Sequence, residues 1–366
     1  MTPPSPPPDP PSDGPPDRPR DGVPAGWTRR RRYAGKNPRA FHEKYKELNP
    51  ERLGASVRKV LAAGKTPAGS HRAIMVEDVV RLLAPKPGEV AIDCTLGFGG
   101  HAGAILERLR PGGRLIGLDV DPLELPRTEE RLRASGFDAT TFVTHRSNFA
   151  GLPQVLAREG LTGADVILAD LGVSSMQLDN PDRGFTYKES GPLDMRMNPS
   201  RGEPASQLLA RLSEEKLVRV LEEYADEPYA HAIASRLKMQ PLVTTGDLDR
   251  SVRAAVTGER PQAQKGDLDA SVRRTFQALR IQVNDELSSL DMLLRHLAGC
   301  LKPGGRAAFL TFHSGEDRRV KKALHAGYRE GVYSAIADEV VRASREEVRS
   351  NPRAASAKLR WAVRSR

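Results

Sequence analysis

Residues 89–96 read EVAIDCTL, residues 97–101 read GFGGH, and residues 114–120 read RLIGLDV. The first string is a nearly continuous apolar run, as expected of a parallel strand buried on both faces rather than an alternating surface strand. A glycine cluster follows, then apolar residues at helical spacing over 101–110, then the breaker Pro111-Gly112-Gly113. The second apolar run ends on Asp119-Val120-Asp121-Pro122. Strand, glycine turn, helix and strand make a βαβ unit, and the pattern continues downstream. Residues 139–145 and 164–171 (ADVILADL) read as third and fourth strands around a helical stretch at 152–159. Residues 273–301 read as one long helix and 306–312 as a fifth strand after the Pro303-Gly304-Gly305 turn. The expected fold class is α/β, a doubly wound, mostly parallel Rossmann-like sheet. Residues 357–363 are expected as a last edge strand. Residues 201–270 interrupt the alternation: Leu208, Leu209, Leu212, Leu217, Val218, Leu221 and Tyr224 have helical spacing, and Ser213 is placed to cap a helix. The expected division is an N-terminal extension (1–66), a discontinuous sheet domain (67–200 and 271–366) and a helical insert (201–270).

In an open α/β sheet the ligand lies beyond the carboxyl ends of the strands. The first strand delivers Asp93 and then Gly97, Gly99, Gly100 and His101. Glycines let backbone approach a ligand and aim helix N–H groups at it. The second delivers Asp119, placed to accept both hydroxyls of a ribose. Gly97, Gly99 and Ala102 also fit a permissive dinucleotide fingerprint. Against that reading, Asp93 would repel a pyrophosphate, and His101 is bulky where a pyrophosphate turn prefers small residues. A ribose acid plus a carboxylate for a cationic amino-acid moiety describes S-adenosylmethionine. The fourth strand delivers Asp170, Ser174, Ser175 and Gln177. The loop Arg183-Gly184-Phe185-Thr186-Tyr187 and the string 191–197 (GPLDMRM), with Asp194 and Arg196, read as a wall of the site. Gln277, Arg280 and Asn284 form a polar stripe with no acidic partner in sequence, open to a role against RNA. His313 at the end of the fifth strand reads as either a catalytic or a structural hydrogen-bonding group.

The 366 residues carry a formal net charge of +10, 38% hydrophobic and 28% charged residues. No stretch approaches the roughly 20 apolar residues a membrane helix needs, and no apolar segment follows Met1. The two cysteines, Cys94 and Cys300, make neither a disulfide framework nor a four-thiolate metal site. The expectation is a cytoplasmic protein with no metal and no membrane partner. The charge is uneven. Residues 1–26 hold eleven prolines with almost no large apolar side chain and read as disordered. Residues 27–60 hold eleven Lys/Arg against three Glu, interleaved with Trp27, Tyr33, Phe41 and Tyr45, a composition suited to phosphate contact and base stacking. Residues 342–366 hold eight Lys/Arg against Glu346 and Glu347. The two basic ends are therefore expected to carry phosphate affinity.

Taken together, DCTLGFGGH, GLDVDP, DLGVSSMQLD, RGFTY with GPLDMRM, FQALRIQVNDEL and NPRAASAKLR resemble, in order, the motifs of the bacterial ribosomal RNA small subunit methyltransferase H (MraW) family, over about residues 71–364. The resemblance implies S-adenosylmethionine-dependent methylation of the N4 amine of a cytidine in the decoding region of 16S rRNA, within the small subunit. Position by position it implies donor contacts from Gly99, Gly100, His101, Asp119, Phe149, Asp170 and Gln177. Asp170 with Ser174 and Ser175 would act on the base. Arg183, Phe185, Tyr187, Asp194, Arg196, Gln277, Arg280, Asn284, His313 and Arg318 would face the RNA. The sequence departs from the family pattern at Gly315, Ala355 and Ala225-Asp226. The competing readings are a non-catalytic RNA-binding assembly factor and, more distantly, a dinucleotide oxidoreductase.

Overall fold

The computed structural model describes residues 73–366; the expectations for the N-terminal extension lie outside them. The chain opens with α1 (Val76–Leu83), β1 (Val90–Asp93), α2 (Gly100–Leu109), β2 (Arg114–Asp119), α3 (Glu124–Ala134), β3 (Phe142–Arg146), α4 (Leu152–Arg158) and β4 (Ala164–Asp170). A short α5 (Ser175–Asp179) leads to α6 (Ala205–Arg211), α7 (Glu214–Ala225), α8 (Ala230–Lys238), α9 (Thr245–Glu259), α10 (Lys265–Asn284) and α11 (Glu286–Cys300). The sheet resumes with β5 (Leu301–Thr311), α12 (Ser314–Arg329), β6 (Tyr333–Ile336), α13 (Arg345–Ser350) and β7 (Lys358–Arg364).

The seven strands run in the order β3-β2-β1-β4-β5-β7-β6. The first five are parallel, and β7 joins both neighbours antiparallel. Alternation along each strand feeds two cores. Ala91, Leu115, Val166, Leu168, Ala308 and Leu310 pack with α1, α2 and α3 on one face. Ile92, Ile116, Leu118, Ile167, Ala307 and Phe309 pack with α4, α11 and α12 on the other. Continuous apolar text in β1 and β4 follows from this double burial. The fold class is the one expected.

Three details differ from the sequence reading. Residues 358–364 do not form the edge: β7 lies between β5 and the edge strand β6, whose four residues gave too short a signal. β5 begins at Leu301 rather than at 306; its register against β4 jumps from Ala164↔Leu301 to Val166↔Arg306, so Pro303-Gly304-Gly305 bulge out of a continuing ladder. The long helix is two helices. Asp285 adopts a left-handed conformation (φ 50°), ending α10 and preceding α11. An aspartate tolerates that region better than most residues, but apolar periodicity runs through it unbroken and hides the break.

Residues 205–259 hold the four helices α6 to α9, and Ser213 caps α7 by accepting the Lys216 N–H at 3.4 Å. Their apolar cluster reaches past 201–270 on both sides, from Phe185, Leu193 and Met195 to Phe276 and Leu279. No helix among the described residues is long and apolar enough to cross a membrane.

Candidate functional site

The carboxyl ends of β1, β2 and β4 surround a cavity of about 420 Å³. Adjacent strand ends in a parallel sheet place Asp93, Asp119 and Asp170 together because each is the last residue of its strand. Asp93 is buried and accepts the Thr95 N–H at 3.0 Å; desolvation raises its pKa to about 6. Asp119 accepts the Gly97 N–H at 2.8 Å and the Asp121 N–H at 2.9 Å. Burial nonetheless raises it to about 6. Asp170 is pushed up to about 7, by desolvation first and by the nearby Glu316 second. Its Oδ1 is sealed from solvent with no hydrogen-bond partner among the described residues, while the side chain as a whole is 27% accessible and lines the cavity. Unpaired buried acids of this kind mark functional sites more often than structural ones.

His101 stands beside them, 5% exposed, with its pKa lowered by burial. Its Nε2 lies 2.9 Å from the Ile74 carbonyl, which can only accept, so Nε2 carries the proton and Nδ1 is bare. That bare nitrogen faces Asp170 Oδ2 at 3.5 Å, an arrangement that favours the protonated form of Asp170. The glycine turn is held from outside by Arg131, stacked 3.6 Å over the Phe98 ring and donating to the Phe98 carbonyl at 3.1 Å. Gly99 has φ +80°, and an added Cβ would meet Thr128 Cγ2 at 2.8 Å, so the turn tolerates only glycine there.

Gly99, Gly100, His101, Asp119, Phe149, Asp170, Ser174 and Gln177 all line the cavity, as do Arg280 and Asn284. Two of these have structural duties that sequence reasoning did not assign. Ser174 Oγ accepts the Gln177 N–H at 3.2 Å and caps α5, which opens with Ser175. Gln177 returns its Oε1 to the Ser174 N–H and donates Nε2 to Asp121 Oδ2 at 2.8 Å.

Most of the expected RNA-facing residues are instead committed within the protein. Arg183 is buried, donates to Asp121 Oδ2 at 2.8 Å and to the Met197 carbonyl at 2.8 Å, and so ties the end of β2 to the following loop. Phe185 belongs to the apolar core of the insert, and Tyr187 packs edge-on to Phe276, ring centroids 5.3 Å apart. Both side chains are committed to the packing of the insert. Asp194 and Arg196 pair with each other at 2.8 Å. The stripe on α10 does have an acid, Glu286, supplied from beyond the helix break. Arg280 donates to both Glu286 oxygens at 2.7 and 2.8 Å. Asn284 accepts the Met197 N–H and donates to the Met195 carbonyl, and Gln277 donates to the Tyr224 carbonyl. His313 Nε2 lies 3.1 Å from Glu316 Oε1 beneath the cavity wall. Arg318 alone of this group is well exposed, 4.0 Å from Asp226. The family departure at Asp226 thus falls where the insert meets α12, and at Gly315 an added Cβ would sit 3.1 Å from His313 Nδ1.

Sequence reasoning missed Glu286, Glu316 and Arg353, which complete the wall. Glu286 was masked by the helix break and Glu316 by its neighbour His313. Arg353 sits in the NPR string, where its pairing with Asp179 at 2.8 Å is a long-range contact.

The family model described as MraW methylase matches residues 68–365. Ribosomal RNA small subunit methyltransferase H 1 of Agathobacter rectalis is 46% identical over 342 residues, covering 92% of this chain and 97% of the relative. Ribosomal RNA small subunit methyltransferase H 2 of Acholeplasma laidlawii is 46% identical over 341 residues, covering 92% and 98%. Ribosomal RNA small subunit methyltransferase H of Thioalkalivibrio sulfidiphilus is 42% identical over 318 residues, covering 81% and 98%. Coverage of 92% leaves fewer than 66 residues unmatched, so the alignment enters the N-terminal segment that the motif comparison placed outside the shared part. On the match of nearly all its regular text, the chain belongs to the MraW methylase family.

Proposed function

We propose that the protein transfers a methyl group from S-adenosylmethionine to the exocyclic N4 amine of one cytidine in the decoding region of 16S rRNA, acting on the small subunit. The observation that carries the donor assignment is the trio of strand-end carboxylates. Asp93, Asp119 and Asp170 each have a raised pKa, burial being the first cause, so their charged forms call for positive charge from a ligand. A donor bearing a sulfonium and an ammonium supplies it; the pyrophosphate of a dinucleotide would worsen the repulsion. Residues 97–101 and Asp119 would hold its nucleoside and amino-acid parts, and Phe149 would flank the adenine. When bound, the donor supplies an electrophilic methyl carbon.

The remaining chemistry falls to the protein. A cytosine amine is a weak nucleophile because its lone pair is delocalised into the ring. Asp170, as carboxylate, accepts a hydrogen bond from that amine and favours its pyramidal, nucleophilic form. Orientation in a water-poor cavity supplies much of the rate, and the reacting base must leave its stack to enter. The helical insert is assigned to substrate recognition, together with the basic N-terminal stretch, part of which lies within the alignment to relatives named for small-subunit rRNA.

Two measurements test the reading. Calorimetry is expected to show S-adenosylmethionine binding, with affinity lost in Asp119→Ala and NADH inert. Mass mapping of 16S rRNA from a strain lacking the gene is expected to lose one methyl at a cytidine N4, restored by the gene. An unchanged methylation map would overturn the substrate assignment, and NADH binding without donor binding would overturn the donor.

A further inference from the structure

The charge of α12 is sorted by face. Glu316, Val320, Leu324 and Gly327 point inward, whereas Arg318, Lys321, Lys322, Tyr328 and Arg329 are exposed. At 100° per residue these outward positions fall on one stripe, with His325 at its middle. Arg318 reaches Asp226 only at 4.0 Å, and Lys321, Lys322 and Arg329 have no acid within ion-pairing distance among the described residues. Tyr328, 49% exposed, puts an aromatic face in the same stripe. Beside it α11 and α12 enclose a shallow open groove of about 410 Å³, lined by Arg295, Arg319 and Lys322 against the single acid Asp291, which Arg319 holds at 3.2 Å.

The position of the stripe is as telling as its charge. Helix α12 starts at the carboxyl end of β5, and its Glu316 lines the active cavity. From there the helix runs back along the sheet and away from the cavity, Arg329 lying about 20 Å beyond Glu316 at 1.5 Å per residue. We infer that the exposed face of α12, with Arg295, is a phosphate track that grips the RNA backbone flanking the target nucleotide. This rests on the RNA-methylating reading and names a surface that reading left unassigned. At the C-terminal end, by contrast, Arg342, Arg345 and Arg349 are exposed while part of the charge is taken up inside the fold. There Arg353 pairs with Asp179, and Lys358 and Arg360 share Asp317; these cations are occupied within the fold.

The test uses the full-length protein with Lys321→Gln, Lys322→Gln and Arg329→Gln combined, and Lys321→Arg with Lys322→Arg as the charge-preserving control. Each phosphate contact contributes about 0.7–0.9 to the slope of log affinity against log salt. The glutamine variant should therefore bind protein-free 16S rRNA with a slope shallower by about 2. Its KM for undermethylated small-subunit particles should rise roughly tenfold, with kcat and donor affinity unchanged. The arginine variant should match wild type. An unchanged slope and KM in the glutamine variant overturns the proposal, as does a loss seen with particles but not with naked RNA, which would make an acidic protein surface the partner. If wild-type protein transfers no methyl to small-subunit rRNA at all, the functional reading fails instead, a result separable from either.

Discussion

Asp170→Asn is expected to slow methyl transfer by about 10²–10³-fold at saturating donor, the scale of removing one preorganised hydrogen-bonding group at a reacting centre. The same change should stabilise the free protein at pH 8, and by roughly a third as much at pH 5. The sign follows from linkage. An unfolded Asp titrates near 3.8, whereas Asp170 in the folded protein titrates at about 7. The folded state thus prefers the protonated form, and the stability tied to it is present below pH 3.8 and lost as pH rises through about 7. Asparagine keeps the neutral shape and has no such loss. With each pKa unit worth about 1.36 kcal/mol, the gain at pH 8 is on the order of a few kcal/mol. Thermal melts at the two pH values read it directly. In the wild type kcat/KM should rise with pH through about 7, because the carboxylate form accepts the amine hydrogen bond; in Asp170→Asn the profile should be flat in that range. Donor calorimetry in two buffers of different ionisation heat should show proton release on binding near neutral pH. Retention of wild-type kcat by Asp170→Asn with intact donor binding would remove Asp170 from the reaction.

The second large effect concerns the wall opposite. Glu286→Ala leaves Arg280, whose charge is otherwise matched by two short hydrogen bonds, largely buried with only the more distant Glu316 to offset it. Removing one member of such a pair costs about 3–5 kcal/mol, which urea denaturation should register as a lower midpoint. Because Asn284, one turn along, holds the Met195 and Met197 backbone, activity should fall as well. The double change Arg280→Met with Glu286→Leu removes both charges and should recover most of the stability without recovering the activity. Recovery of both would show the pair to be a packing element only.

The parts of this molecule that could be read from its residues are those whose cause is local. A strand buried on both faces is written as an apolar run, and Asp93, Asp119 and Asp170 are recognisable because each closes such a run. Gly99 is legible since its backbone conformation excludes a side chain. What escaped was set by partners distant in sequence. Nothing near Arg183 announces Asp121, and nothing before the break at Asp285 announces that Glu286 will turn back onto Arg280. For the same reason Phe185 and Tyr187 looked like an aromatic loop beside the site, although the insert's core claims them. Polar and aromatic residues in a loop carry the same letters whether they meet RNA or their own protein.

The position of the insert also governs how the molecule is made. β5 pairs with β4, yet Asp165 and Lys302, which close that seam, are separated by 137 residues. At about 5–20 residues per second of synthesis, the ribosome needs roughly seven to twenty-seven seconds to deliver the missing strand. During that interval β4 is the open edge of a four-stranded sheet, the kind of edge that recruits other chains. The helices between them carry an apolar cluster of their own and draw on contacts closer in sequence, which form sooner. Asp170, at the tip of that waiting edge, acquires its surroundings only when translation has passed the end of α11.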